Sequence, residues 1–138
     1  MVAVECNQNI TFRLALQAII IGDQIFDRHK RSVDFIKRYI FPGSCIPSIT
    51  AISNAVARST DLQLVHLEDI TPHYARTLGE WRRRFFANID AVRTQGFSET
   101  FIRMWEYYLC YCEGGFAERY IGDVQLILAK PLWRRIPH

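Results

Sequence analysis

The stretch Ile10 to Ile21, ITFRLALQAIII, constrains this chain more than any other feature. Twelve residues rich in β-branched and aliphatic side chains, interrupted only by Thr11, Arg13 and Gln17 and ended by Gly22-Asp23, read as a strand covered on both faces. Such a strand needs a sheet around it and helices over that sheet. The 138 residues allow one domain, with 49% apolar residues available for its core. No unbroken apolar run, Ala18 to Ile21 included, approaches the ~20 residues of a membrane span. The start MVAVEC lacks the basic segment and long apolar core of a secretion signal, so a cytoplasmic location is expected and Cys6, Cys45, Cys110 and Cys112 are read as free thiols.

Flanking segments supply the remaining elements. Val2 to Cys6 is short and strand-like, and Asn7-Gln8-Asn9 suits a hairpin loop back into the long strand. After Asp27, Val33, Ile36 and Ile40 recur on one helical face with Arg and Lys opposite, and Pro42-Gly43 should end that helix. A second helix is expected after Pro47, capped by Ser48, with Ile49, Ile52 and Val56 inward. Leu62 to Ile70 alternates like a strand. Leu78, Trp81, Phe85, Ile89 and Val92 then form a helical stripe over 75–93, with Arg82, Arg83 and Arg84 largely off it. Gly96 and Ser98 separate it from a last helix, whose inner stripe is Phe101, Met104 or Trp105, Tyr108, Cys112 and Phe116. Gly122 leads into a final strand at 123–130, followed by a basic tail at 132–138.

Chemistry is sparse in this pattern. Cys110 and Cys112, two apart on a helix, point away from one another, and the four His show no metal-binding spacing, so no metal is expected. No nucleophile elbow and no glycine-rich phosphate loop occurs. The clusters Arg28 to Arg31 and Arg82 to Arg84 could meet phosphates, but acidic neighbours flank both, and they read first as solvated helix faces rather than a nucleic-acid site.

Three motifs carry a more specific signal: SVDFIKRYIFPGSCIPSITAI at 32–52, HLEDITPHYARTLGEWRRRF at 66–85 and RMWEYYLCYCEGGF at 103–116. In this order they resemble the cyclopropane-fatty-acyl-phospholipid synthases, including the mycolic acid cyclopropane synthases. The similarity runs from Leu14 to Pro131. It implies an S-adenosylmethionine-dependent lipid methyltransferase that methylenates a cis double bond of an acyl chain, with bicarbonate removing the final proton. Only the C-terminal half of such an enzyme is matched. The family's glycine-rich cofactor half, with the carboxylate and cysteine that contact bicarbonate, has no counterpart in these residues.

By resemblance, Tyr74 is the tyrosine that holds bicarbonate, and Gln17 and Ile19 occupy the positions of a His side chain and a backbone contact to the same ion. Gln17 departs from the family here, since an amide can donate a hydrogen bond but carries no charge. Phe41, Tyr108 and Cys112 match positions lining the acyl channel. The implied fold is α/β, part of a Rossmann-like methyltransferase: a three-stranded mixed sheet with its last strand antiparallel between the other two, a further hairpin strand available at 2–6, and about four helices. Residues 1–138 are taken as a single domain whose first 13 residues diverge from the family. The expected function is a synthase-like fragment that is inactive alone and binds no S-adenosylmethionine. The alternatives are a stand-alone binder of an acyl chain or small hydrophobic ligand, or a folded remnant. Expected partners are a second copy across the exposed sheet edge, an acyl ligand and a peripheral membrane contact, with no nucleic acid.

Overall fold

The computed structural model describes residues 2–5 and 12–133. In chain order the elements are β1 (Val2–Glu5), β2 (Arg13–Ile21), α1 (Asp23–Arg31), a π-helical turn (Ile36–Ile40), α2 (Ile49–Ser59), β3 (Gln63–Asp69), α3 (Thr71–Ala87), α4 (Ile89–Thr94), α5 (Glu99–Ala117) and β4 (Ile121–Ala129). They form two compact units: the sheet with α1, the π turn and α2, and a helical unit spanning Thr71–Ile121. No helix among the described residues is long and apolar enough to cross a membrane.

The sheet order is β1-β2-β4-β3. β4 and β3 are antiparallel from Gln63 opposite Ala129 to Asp69 opposite Val124, with a bulge at Val65. Lys130 N, just past β4, donates to Phe12 O, just before β2, at 2.9 Å, as antiparallel neighbours do. The last strand in sequence thus lies between the other two long ones, as expected, but every neighbouring pair is antiparallel, so the four-stranded sheet is antiparallel and not mixed. It is also the most buried: Val124, Leu126, Leu128 and Ala129 are each at most 2% exposed. β1 pairs antiparallel with β2, Val2 opposite Leu16 and Glu5 opposite Arg13, which makes the N-terminal strand expected from MVAVEC part of the sheet. The proposed loop at Asn7-Gln8-Asn9, residues 10–11 of the long strand and most of the basic tail lie outside the described residues.

Two expected helices are broken, each at a residue whose side chain bonds a carbonyl of the preceding turn. The first stops at Ser32, whose backbone is extended and whose Oγ donates to His29 O at 3.0 Å. Helix resumes where Asp34 Oδ1 accepts from Lys37 N at 2.9 Å. Val33, expected on the inner face, sits in the gap and is 74% exposed. The second break follows Ala87, where Asn88 Nδ2 donates to Arg84 O at 2.8 Å and separates α3 from α4. Chain segments read as two helices therefore form four, and the described total is five α-helices and the π turn. α3 also begins at Thr71, before the expected start, because Pro72 fits the first helical turn, where its missing N–H costs nothing.

The inner face of α3 is rotated from the one expected. Leu78 is 1% exposed, Tyr74 packs on Phe116 of α5, and Arg82 Nε donates to Glu113 Oε2 of α5 at 2.9 Å. Positions 74, 78 and 82 therefore face α5, while Trp81, placed inward by the sequence, is 47% exposed. Ile102, Leu109 and Phe116 supply the buried side of α5, and Ser98 caps its start by accepting from Phe101 N at 3.2 Å. Ser48 caps α2 as expected, accepting from Ala51 N at 3.2 Å. β3 was read from its alternation, yet every residue of it is exposed, because it lies at the sheet edge.

Candidate functional site

Within the sheet unit, neighbouring β2 and β4 place Gln17 beside Asp123. Gln17 Nε2 donates to Asp123 Oδ2 at 2.7 Å, and Gln17 Oε1 accepts from Gln125 Nε2 at 3.4 Å. Asp123 is 1% exposed. Burial raises its carboxyl above the usual range, against the opposing effect of the hydrogen bonds from Gln17 and the Val124 N–H. Ile19 lies two residues further along the same face of β2 and is half-buried. The amide at position 17 is thus engaged at both ends, and its donor already holds a carboxylate. An anion at this position would compete with Asp123 for that donor.

Within the helical unit, α3 and α5 bring Tyr74, Tyr108 and Cys112 together. The ring of Tyr74 lies 4.7 Å from that of Phe116, tilted by 44°. Burial, with smaller contributions from Cys112 and Tyr74, pushes the Tyr108 hydroxyl up to about 12. Tyr108 therefore stays a neutral phenol across the physiological range. Trp105 meets Tyr108 edge-on at 5.1 Å, and Phe101 and Phe97 extend the aromatic row along α5. The Trp105 Nε1 is buried and has no hydrogen-bond partner among the described residues.

Phe41 belongs to the sheet unit, directly after the π turn, where it is 53% exposed. A separate apolar groove of about 200 Å³ is lined by Ile52 and Val56 of α2, Leu64 of β3, and Leu126 and Leu128 of β4. The sequence did not single out Asp123 or Trp105. The legible signal for Asp123 was an acid three residues before the apolar run Leu126 to Ala129, at a position that alternation places on the face of Gln125. Trp105 was already on the inner stripe of α5 as an alternative to Met104, but a sequence does not show whether an indole N–H finds a partner.

The glycines of the chain do not build a cradle for a nucleotide. Gly43 and Gly96 adopt positive φ just beyond helical segments. Gly79 lies in α3, where a Cβ would come within 3.0 Å of the Glu113 carboxylate, and Gly115 lies against Ile121 at 3.3 Å. These glycines serve turns and helix packing.

Comparison with known proteins places this architecture. The fold superposes on the cyclopropane synthase MmaA2 from Mycobacterium tuberculosis with a TM-score of 0.74 and 29% identity, covering 88% of this chain and 45% of that one. The mycolic acid cyclopropane synthase CmaA1 bound to SAH and CTAB matches with the same TM-score, at 26% identity over 88% of this chain and 45% of its own. The class is thus an α/β fold shared with lipid-modifying cyclopropane synthases. Residues 9–126 match the mycolic acid cyclopropane synthetase family model, and the chain belongs to that family. Among curated relatives it is 38% identical over 117 residues to the tuberculostearic acid methyltransferase UfaA1 of M. tuberculosis, covering 85% of this chain and 27% of the relative. It is 38% identical over 95 residues to the cyclopropane-fatty-acyl-phospholipid synthase of Escherichia coli K12, covering 67% of this chain and 22% of the relative. The chain thus spans about a quarter of these curated relatives and under half of the solved structures.

Proposed function

We propose that this chain forms the C-terminal part of a lipid methyltransferase of the cyclopropane synthase type and contributes surroundings for the acyl chain, while the methyl donor is held by residues outside these 138. The observation that carries the reading is the aromatic row of the helical unit: Trp105, Tyr108 and Phe116 along α5, with Tyr74 of α3 on Phe116, fall where the family motifs PHYARTL and RMWEYYLCYCEGGF lie. Neutral phenols and π-faces form a dry lining that tolerates an acyl chain and favours nearby positive charge. Tyr108 cannot act as a base there, since its hydroxyl holds its proton to about 12. Its contribution is a hydrogen-bond donor and an aromatic face. The amide of Gln17, bound to Asp123, supports a sheet-stabilising role in place of the family's histidine.

The test is a chimera in which this chain replaces its matching 117 residues in UfaA1, assayed for methyl transfer to an unsaturated phospholipid. Activity that falls at least tenfold on Tyr74→Phe or Tyr108→Phe supports the reading. A folded chimera that binds S-adenosylmethionine yet transfers no methyl group overturns it. The chain alone should show no saturable S-adenosylmethionine binding by calorimetry.

A second reading, a stand-alone binder of hydrophobic ligands, is favoured by β1, which covers the edge of β2 from Arg13 to Leu16 with the chain's own residues. A homodimer across the rest of that edge belongs to this reading. Sedimentation of the intact chain distinguishes it from a monomer.

A further inference from the structure

The two basic clusters that look alike in sequence differ in the structure. In the helical unit, Arg82 pairs with Glu113 at 2.9 Å, and Arg83 and Arg84 pair with Glu80 at 2.7 and 2.8 Å. Arg93 pairs with Glu99 and Asp90. Those charges are neutralised where they stand. In segment 28–41 five Lys and Arg residues accompany one carboxylate, a net +4 on a chain of net +3, so the remaining residues together carry −1.

Local geometry keeps that charge unneutralised. The one acidic residue within the segment, Asp34, is turned onto the backbone N–H of Lys37 at 2.9 Å, and Asp27, just before it, makes no ion pair with Arg28 or Arg31 among the described residues. The Lys37 ammonium is used internally, donating to His29 O and to Ser32 O and so tying the π turn to the end of α1. Arg28, Lys30 and Arg31 remain exposed on the last turn of α1, and no carboxylate among the described residues pairs with them. Arg38 lies 5.5 Å from the ring centroid of Tyr39. Among these cations sit Val33, 74% exposed, Tyr39, 58% exposed, and Phe41, 53% exposed.

We propose that segment 28–41 is a docking surface for an anionic phospholipid bilayer. The combination selects that occupant. Cations alone would suit any polyanion, but three exposed apolar side chains among them stay wet against an acidic protein or a nucleic acid. At a bilayer they enter the interface while the guanidinium and ammonium groups meet the headgroup phosphates. The inference is independent of methyl transfer, since it rests on charge and exposure in the sheet unit and not on the aromatic row.

Co-sedimentation of the intact chain with vesicles tests it, comparing phosphatidylcholine alone with phosphatidylcholine containing one third phosphatidylglycerol. Binding should require the anionic lipid and weaken as salt screens it. The double change Arg28→Gln with Arg31→Gln should lower partitioning about thirtyfold, at roughly fivefold per cation. The double change Arg83→Gln with Arg84→Gln removes the same charge from a paired cluster and should lower it less than threefold. Val33→Ser, at an exposed loop position, should weaken vesicle binding without altering retention on a soluble polyanion. Equal losses for the two double variants, equal binding to neutral vesicles, no vesicle binding, or capture of an acidic carrier protein in preference to vesicles would each overturn the proposal.

Discussion

Replacing Gln17 with Leu should destabilise the protein in a pH-dependent way whose sign follows from Asp123. The substitution nearly conserves volume but removes the Nε2 donor 2.7 Å from Asp123 Oδ2. Asp123 is 1% exposed, so water does not readily replace the lost donor. Losing a hydrogen bond to a buried ionised group costs roughly 1.5–3 kcal/mol, whereas a neutral pair contributes about 1 kcal/mol. In the native protein the carboxyl is already raised above 3.8 by burial, and the Gln17 bond opposes that rise. A raised carboxyl makes stability fall as pH climbs from the unfolded value through the folded one. Without Gln17 the folded value rises further, so the loss extends to higher pH. Urea titrations of both proteins should therefore show a difference of about 2 kcal/mol while the carboxyl is ionised, shrinking to about 1 kcal/mol as falling pH protonates it. A difference that is constant with pH, or larger in acid, would refute the coupling of Gln17 to an ionisable, buried Asp123.

Ultraviolet titration of the six tyrosines should show one phenol ionising late, near 12, and Tyr108→Phe should remove that component. His29 is 8% exposed, and burial, helped by the Lys37 ammonium and opposed by Asp34, lowers it below 6.5. A lowered histidine contributes stability above the unfolded value that is lost as pH falls. Denaturation midpoints should drop below about pH 6.5 in the native protein, and His29→Gln, which keeps an acceptor for the Ile46 N–H, should flatten that slope. Leu78→Ala should cost about 3 kcal/mol in denaturant titrations, since Leu78 is 1% exposed in the packing of α3 and α5; a cost under 1 kcal/mol would mean that the helices collapse over the gap.

Much of the architecture was already present in residue patterns with local causes. The β-branched run of β2, the serine caps of α2 and α5 and the apolar run of β4 each encode an element through neighbouring residues alone, and each formed where expected. Helical spacing likewise placed Tyr108 and Cys112 on one side of α5, because periodicity is a linear property. The helix breaks at Ser32 and Asn88 are local, each side chain bonding a carbonyl three or four residues back, but hydrophobic periodicity does not register them. Tertiary structure decided what depends on the far partner. Trp81 faces outward because the buried Leu78 and the ring of Tyr74 turn the other face of α3 toward α5. Gln17 proved to be a partner of Asp123, 106 residues away, and no local pattern carries a contact of that separation. The two basic clusters, alike as strings, differ because carboxylates on a neighbouring turn or helix pair with one of them, while beside the other Asp34 is spent on the backbone and no carboxylate among the described residues pairs with Arg28, Lys30 or Arg31. Charge is a property of sequence; whether that charge is available to a partner is set by which side chains the fold brings within a few ångströms of it.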